Sequence, residues 1–514
     1  MRYLLKFLLT ISLIIFINEA NAQSTPYDFK AKAKQQLKTN YKFLDGTVDL
    51  FTTAHCKEAI QYFGNCFGAN PAAPYILTAF QTPGNEYIDS NYPPSLTISR
   101  NGKTYRGVTR THPTEAKVVL IDLPPRSAYL GFQTYLFSKY GSPSNTLLDM
   151  FLPSTQHPNP RRFSVFNSIS NSVNFVNIKN QIGLQEPWEQ GVIAIVTTPD
   201  KKTFTDVKSA LQKVGLPSNR IFSETLGYSN KMGLGETKND YVGILRYVLP
   251  EDSNGRNYQL NPRVTAFRVI AKGRSNSTPY SNQILDSRTS SSESNRDEGL
   301  KEVNQILKDN LFKSSSEISF ISPINIGIDT YKCDQNNRNC LGETRDTDTY
   351  LASSTFKLKK GELALLTGVN HNRSGNSTYF SISINDMNEV RPGQLIDRFG
   401  KSISGISQVA KTANFTPENY QLTLDNSAAR VFKDLNISTP QSLKNKMGRY
   451  WTVLISRSVT DCGNIRDCYV LPNNESGILL NKDIRILRRV YIKPGTSRGP
   501  AASGLLDPIL NLGS

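Results

Sequence analysis

Histidine is almost missing from this chain: 514 residues carry four, His55, His112, His157 and His371. Any chemistry that uses imidazole as a base or a metal ligand must draw on these. No His-Glu-x-x-His occurs, which removes the zincin arrangement of two ligands and a base on one helix. The stretch Gly400-Lys401-Ser402-Ile403-Ser404 misses the Gly-x-Ser-x-Gly pattern by ending in serine, and Gly495-Thr496-Ser497-Arg498-Gly499, which spells it, lies in the Gly/Pro/Ser-rich 494–514 rather than on a strand-to-helix turn. Triads assemble in space, so other serine arrangements stay open. After Ala22 nothing approaches the roughly 18 uninterrupted apolar residues of a spanning helix, so no membrane anchor is expected. Internal repeats and nucleic-acid-binding motifs are missing too, and nucleic acid is not an expected partner.

What is present begins with an export signal. Arg2 and Lys6 make a positive start, Phe7 to Ile17 is a short apolar stretch, and Ala20-Asn21-Ala22 is the small-x-small pattern before cleavage. The reading is a signal peptide over 1–22 and a soluble product in the periplasm or the medium. The first cysteine, Cys56, lies too far on for a lipid anchor at a new N-terminus.

Lysine and arginine number 60 against 43 aspartates and glutamates, a formal net charge of +17. That surplus serves solubility, and it also draws a protein toward lipopolysaccharide or acidic polysaccharide. The densest group, Lys482, Arg485, Arg488, Arg489 and Lys493, is interleaved with Ile484, Ile486, Val490 and Ile492. This alternation predicts a strand with one charged face.

Six cysteines fall into three close pairs, Cys56/Cys66, Cys333/Cys340 and Cys462/Cys468. In an exported chain they read as three local disulfides. Their gaps are wider than the two-to-four-residue spacing of zinc sites, so neither metal nor cofactor is expected.

The pattern along the chain reads as α+β: a mixed N-terminal half containing one β-α-β unit, and a β-dominated C-terminal half of sandwich or jelly-roll type. Residues 23–272 form the first domain, with helical stretches over 28–64 and then strands and turns. The β-α-β unit lies in 191–226. Val192 to Thr197 is a buried-strand run, and Val207, Ala210, Leu211 and Val214 fall on one helix face before Gly215 and Pro217 stop it. Its turn, Thr198-Pro199-Asp200-Lys201-Lys202, lacks the glycines of a nucleotide site. Residues 273–296, with eight serines, read as a linker or long loop. The β-rich domain spans 297–493, broken by a helix from Pro440 to Gly448, and the Gly/Pro/Ser-rich 494–514 reads as a loose tail.

Two places could carry chemistry. The polar loop Asn370-His371-Asn372-Arg373-Ser374-Gly375-Asn376 sits between strand-like runs, where sites are often built, although such residues also make ordinary turns. Glu343, Asp346 and Asp348 form an acidic group beyond Cys340. An EF-hand is excluded, because position six is Asn339 and position twelve is Arg345, and a solvated hairpin tip is the simpler reading. Candidate catalytic residues are therefore His371, Glu343, Asp346 and Asp348, and candidate binding residues Asn370, His371, Asn372 and Arg373. Two functions follow as expectations. The first is a non-catalytic exported binding or envelope-interaction protein with an anionic or glycan partner. The second is an exported hydrolase using carboxylates or His371.

Overall fold

A computed structural model describes residues 24–52, 55–63, 66, 74–142, 157–227, 231–281, 287–321, 345–348, 351–387, 391–398, 401–403, 405–409 and 424–514. The signal peptide, the Cys333/Cys340 pair and Glu343 lie outside these residues. Within them the chain is strand-rich, with eight helices and mixed sheets.

The N-terminal sheet is 12-stranded. Its main path runs from Ile221–Thr225 through Val192–Thr198, Glu115–Asp122, Val264–Ala271, Tyr41–Phe51, Tyr75–Phe80, Asp240–Pro250 and Ser127–Tyr140 to Arg162–Ser168. Its first pair is parallel and the remaining neighbours on the path are antiparallel. That parallel pair is the β-α-β unit. Asp200 caps the intervening helix Lys201–Lys213 by accepting from the Thr203 N–H, and Gly215 follows it at φ +98°, a conformation that favours glycine.

Alternation along the strands gives the sheet two different faces. The outer one carries Val118, Leu120, Val196 and Phe267, packed against Phe29, Ala33 and Leu37 of helix Pro26–Leu37 and against Val207 and Leu211. The inner one carries Val119, Ile121, Ile195, Phe132 and Leu245 at one end and Glu115, Lys117 and Arg268 at the other. The sheet curls until strands near opposite ends of its path meet: the Thr134 N–H donates to Glu224 at 2.6 Å. The result is a half-barrel with an apolar end and a charged end.

The C-terminal half holds a seven-stranded and a six-stranded sheet that share one apolar cluster, including Leu366, Trp451 and Val453 from one and Phe380, Ile382 and Ile486 from the other. Helix Asp297–Leu311 covers the far side of the larger sheet with Leu300, Val303 and Leu307.

Four expectations are corrected. Residues 41–51 form a strand rather than part of a helical stretch, paired on both sides; at Gly46 a Cβ would meet the Ala266 carbonyl at 2.8 Å. The helix expected from Pro440 is two 3-10 turns, Gln441–Leu443 and Met447–Arg449. The tail is tied down, because Ile509–Gly513 pairs with both Ser315–Ile318 and Leu363–Val369. The basic strand Ile484–Tyr491 lies inside its sheet, with Arg485, Arg488 and Arg489 all buried instead of lining a solvated face.

Disulfides join Cys56 to Cys66 and Cys462 to Cys468, with Cα atoms 5.3 and 5.6 Å apart. Replacing both Cys462 and Cys468 by alanine should cost about 2 kcal/mol in a urea titration, the chain-entropy value for so short a loop.

Candidate functional site: a cleft on the curled sheet

The structure draws several predicted residues into its interior. His371 is 1% exposed. Its Nδ1 lies 2.9 Å from Glu293 Oε1, and its Nε2 faces Arg488 Nη1 at 3.4 Å. The tautomer that fits donates from Nδ1 to the carboxylate and turns the Nε2 lone pair to the guanidinium. Arg488 in turn reaches Asp348 at 3.1 Å, and Asp348 also accepts from the Val490 N–H at 2.8 Å. Two of the residues singled out by sequence, His371 and Asp348, are thus joined through Arg488, which shares an interior face with Ile486 and Val490.

Asp346 is elsewhere. It is buried between the halves, accepting from Tyr129 Oη, Ser172 Oγ and Asn174 Nδ2. The solvated tip expected around it is replaced by a buried segment, since Arg345, Asp346, Thr347 and Asp348 are all buried. Asn370 and Arg373 both bind Asp425, Arg373 with Nε at 2.9 Å and Nη2 at 3.1 Å, and Asn372 donates to the Ser377 carbonyl at 2.9 Å. The loop is a pinned turn.

Charge states follow from this burial. Desolvation, with the Arg488 cation adding to it, holds His371 below its ordinary value. Burial works against a charged Glu293, but the His371 ring, Ser374 and the Leu506 N–H overcome it and hold the carboxyl at about 2. Burial pushes Asp348 up to about 6, against Arg488 and the Val490 N–H. The stabilising share of neutral His371 is complete above pH 6.5, the unfolded value, and is lost as pH falls toward its depressed native value. Glu293 adds a loss between 4.5 and about 2, whereas Asp348 acts in the opposite sense between about 6 and 3.8. The stability gap between wild type and His371→Gln, measured by urea titration, should therefore narrow below pH 6.5. A gap that widens on acidification contradicts this protonation scheme.

None of His371, Asp346 and Asp348 is among the residues that line the cleft at the charged end of the half-barrel. That cleft opens in the connection between strands Tyr75–Phe80 and Thr97–Arg100. It is shallow, with a volume of about 20 Å³, and Tyr87, Ile88, Tyr92 and Leu96 supply its apolar wall. Ile88 stands 45% exposed. Buried carboxylates fix this connection. Glu86 accepts from the Arg110 N–H at 2.6 Å and from Arg268 at 2.7 Å. Asp89 accepts from the Asn91 N–H at 3.0 Å and from Asn159 at 2.8 Å. Arg268 bridges on to Glu115 at 2.7 Å, so its guanidinium sits between two carboxylates in the interior. The Arg110 guanidinium lies over the Tyr87 ring, 4.8 Å from its centroid.

Beneath the cleft, Tyr92, Leu96 and Val108 join the cluster of Leu77, Tyr135, Val242 and Ile244. Tyr135 is flanked by Phe166, stacked at 4.9 Å, and by the Arg246 guanidinium at 5.1 Å, which lies between Tyr135 and Tyr75. Phe166 adopts φ +41° to complete that stack, a conformation a bulky side chain rarely takes. His157 meets the Tyr92 ring edge-on at 5.4 Å, and burial takes its pKa down to about 4.

Sequence reasoning passed over this cleft. A signal was there in Pro83-Gly84-Asn85 and Asn91-Tyr92-Pro93-Pro94: a long connection rich in turn formers and tyrosine between two strands.

Fold and site together define a strand-rich α+β protein whose curled sheet presents a cleft walled by an anchored loop. No family model and no curated protein matches the chain. Among solved structures, an uncharacterised protein of Burkholderia cenocepacia overlaps 94% of this chain and 86% of its own at 10% identity, with a TM-score of 0.36. A protein of Parabacteroides distasonis that is presumed to be secreted overlaps 92% and 98% at 8% identity, with a TM-score of 0.15. Overlaps this loose carry no argument about fold or function.

Proposed function

We propose that this is an exported, non-catalytic binding protein that engages an anionic glycan through the cleft beside Tyr87, Ile88 and Tyr92. The supporting observation is the anchoring of that loop. Two buried carboxylates, Glu86 and Asp89, hold an irregular surface segment in one shape, which lowers the ordering cost of binding. Tyrosine and isoleucine beside polar side chains suit the mixed faces of a sugar ring. The net charge of +17 favours an acidic polymer over a neutral one. Export to the periplasm or the medium is part of the proposal, and the two disulfides are in keeping with an oxidising compartment. Among the described residues no helix is long and apolar enough to cross a membrane.

The hydrolase reading is weaker on this geometry. A general base needs reach to a substrate proton, and His371 has both ring nitrogens facing partners inside the core.

Retention on an acidic-polysaccharide matrix tests the proposal. Wild type should be held and should elute as salt rises, while Tyr87→Ala with Ile88→Ala should lose roughly tenfold or more in affinity, the scale of two contact side chains. Equal retention of both proteins would remove the cleft from the account.

A further inference from the structure

The cleft also has a polar wall, and its charges are not alike. Glu86 is matched by Arg268, and Asp89 is surrounded by amide donors from Asn91 and Asn159. Arg110 is enclosed, with Nη1 reaching the Tyr87 carbonyl at 2.6 Å and Asp240 at 3.4 Å. Arg106 differs. It ends the strand Lys103–Arg106, is partly exposed, and has Nη1 on Thr97 Oγ1 at 2.6 Å. Among the described residues no carboxylate pairs with it, although it lines the same cleft as Tyr87 and Tyr92.

We propose that the cleft selects a sugar ring bearing a carboxylate, a hexuronate, and that Arg106 is the residue that reads the acid group. This rests on the glycan reading above and narrows it. A guanidinium held at one nitrogen keeps its remaining donors in a planar fork, which matches a carboxylate with two parallel hydrogen bonds. Thr97 orients that fork, the shallow cleft admits the carboxylate, and the ring lies outside it against the exposed Ile88. The partial burial of Arg106 limits screening by salt, so the contact contributes selectivity as well as attraction.

Four probes separate the possibilities by titration calorimetry: an oligogalacturonate, its methyl ester, a neutral oligogalactoside and a sulfated oligosaccharide of the same length. Wild type should bind the acid at least tenfold more tightly than the ester. Arg106→Met should bind acid and ester alike, and Arg106→Lys, which keeps charge but not the fork, should retain only part of the preference. Unchanged melting of both variants shows that the fold is intact; if Arg106→Met does not fold, Arg106→Lys with Thr97→Val carries the test. Equal binding of acid and ester by wild type would overturn the assignment and the preference for an acidic polymer, leaving only glycan binding at the cleft standing. An Arg106→Met protein that keeps the preference, or tighter binding of a sulfated oligosaccharide, would overturn the assignment alone. Binding of none of these ligands would overturn both.

Discussion

Glu293→Ala should lose about 3–5 kcal/mol of stability in a urea titration, the cost of stranding several buried hydrogen-bond donors at once. The carboxylate is the shared acceptor for His371 Nδ1, Ser374 Oγ, Asn376 Nδ2 and the Leu506 N–H. Without it those groups lose their common acceptor in the interior, and the His371 ring is left against the Arg488 guanidinium and the Phe380 ring. The same change removes the side-chain tie from residues 287–296 to Leu506 and to the 371–376 loop, while the backbone ties of Ser291 to Asn376 and of Glu293 to Gly504 remain. Glycan binding at the distant cleft should be unaffected in the folded fraction. A loss below about 1 kcal/mol, within the range of a solvated pair, would show that this array is not the lock described.

Arg268→Met should be at least as costly, about 3–5 kcal/mol, and should weaken glycan binding as well. Glu86 and Glu115 would lose the guanidinium that bridges them, leaving two buried carboxylates with Lys117 as the cation still near both. Glu86 belongs to the cleft loop, so the repulsion acts on the segment carrying Tyr87 and Ile88. Adding Glu86→Gln and Glu115→Gln to Arg268→Met should restore most of the stability, since replacing a whole buried ion group costs far less than breaking one. Urea titrations of the single and triple variants decide it. If Arg268→Met is as stable as wild type, the charged end of the half-barrel does not hold the loop.

The two buried arrays show why some of the molecule was legible in the sequence and some was not. The β-α-β unit was, because a run of β-branched residues and a helical apolar stripe are local signals, and the parallel pair Ile221 to Ala194 follows from them. The disulfides Cys56–Cys66 and Cys462–Cys468 were legible from proximity alone. His371 was picked out by its scarcity, but its partners, Glu293 and Arg488, lie 78 and 117 residues away. No periodicity reports such a pairing, so an interior lock looked like a surface turn. Arg488 misled in the same manner: alternation put charge on a strand, and only the approach of Asp348 explains how that charge can be buried. The tail hid a strand because its glycines and prolines outweighed the four residues Ile509 to Leu512. The cleft is assembled from a loop before Thr97 and a strand end at Arg106, brought together by the Thr97 and Arg106 pairing.

Hydrogen–deuterium exchange with and without oligogalacturonate tests the central claim most directly. The account expects added protection in the segment from Thr82 to Thr97 and at Lys103 to Val108, with the backbone around His371 and Asp348 unchanged. Protection confined to residues 370–377 or 345–348, leaving the cleft loop untouched, would contradict it and return the interior array to the role of a binding or catalytic centre.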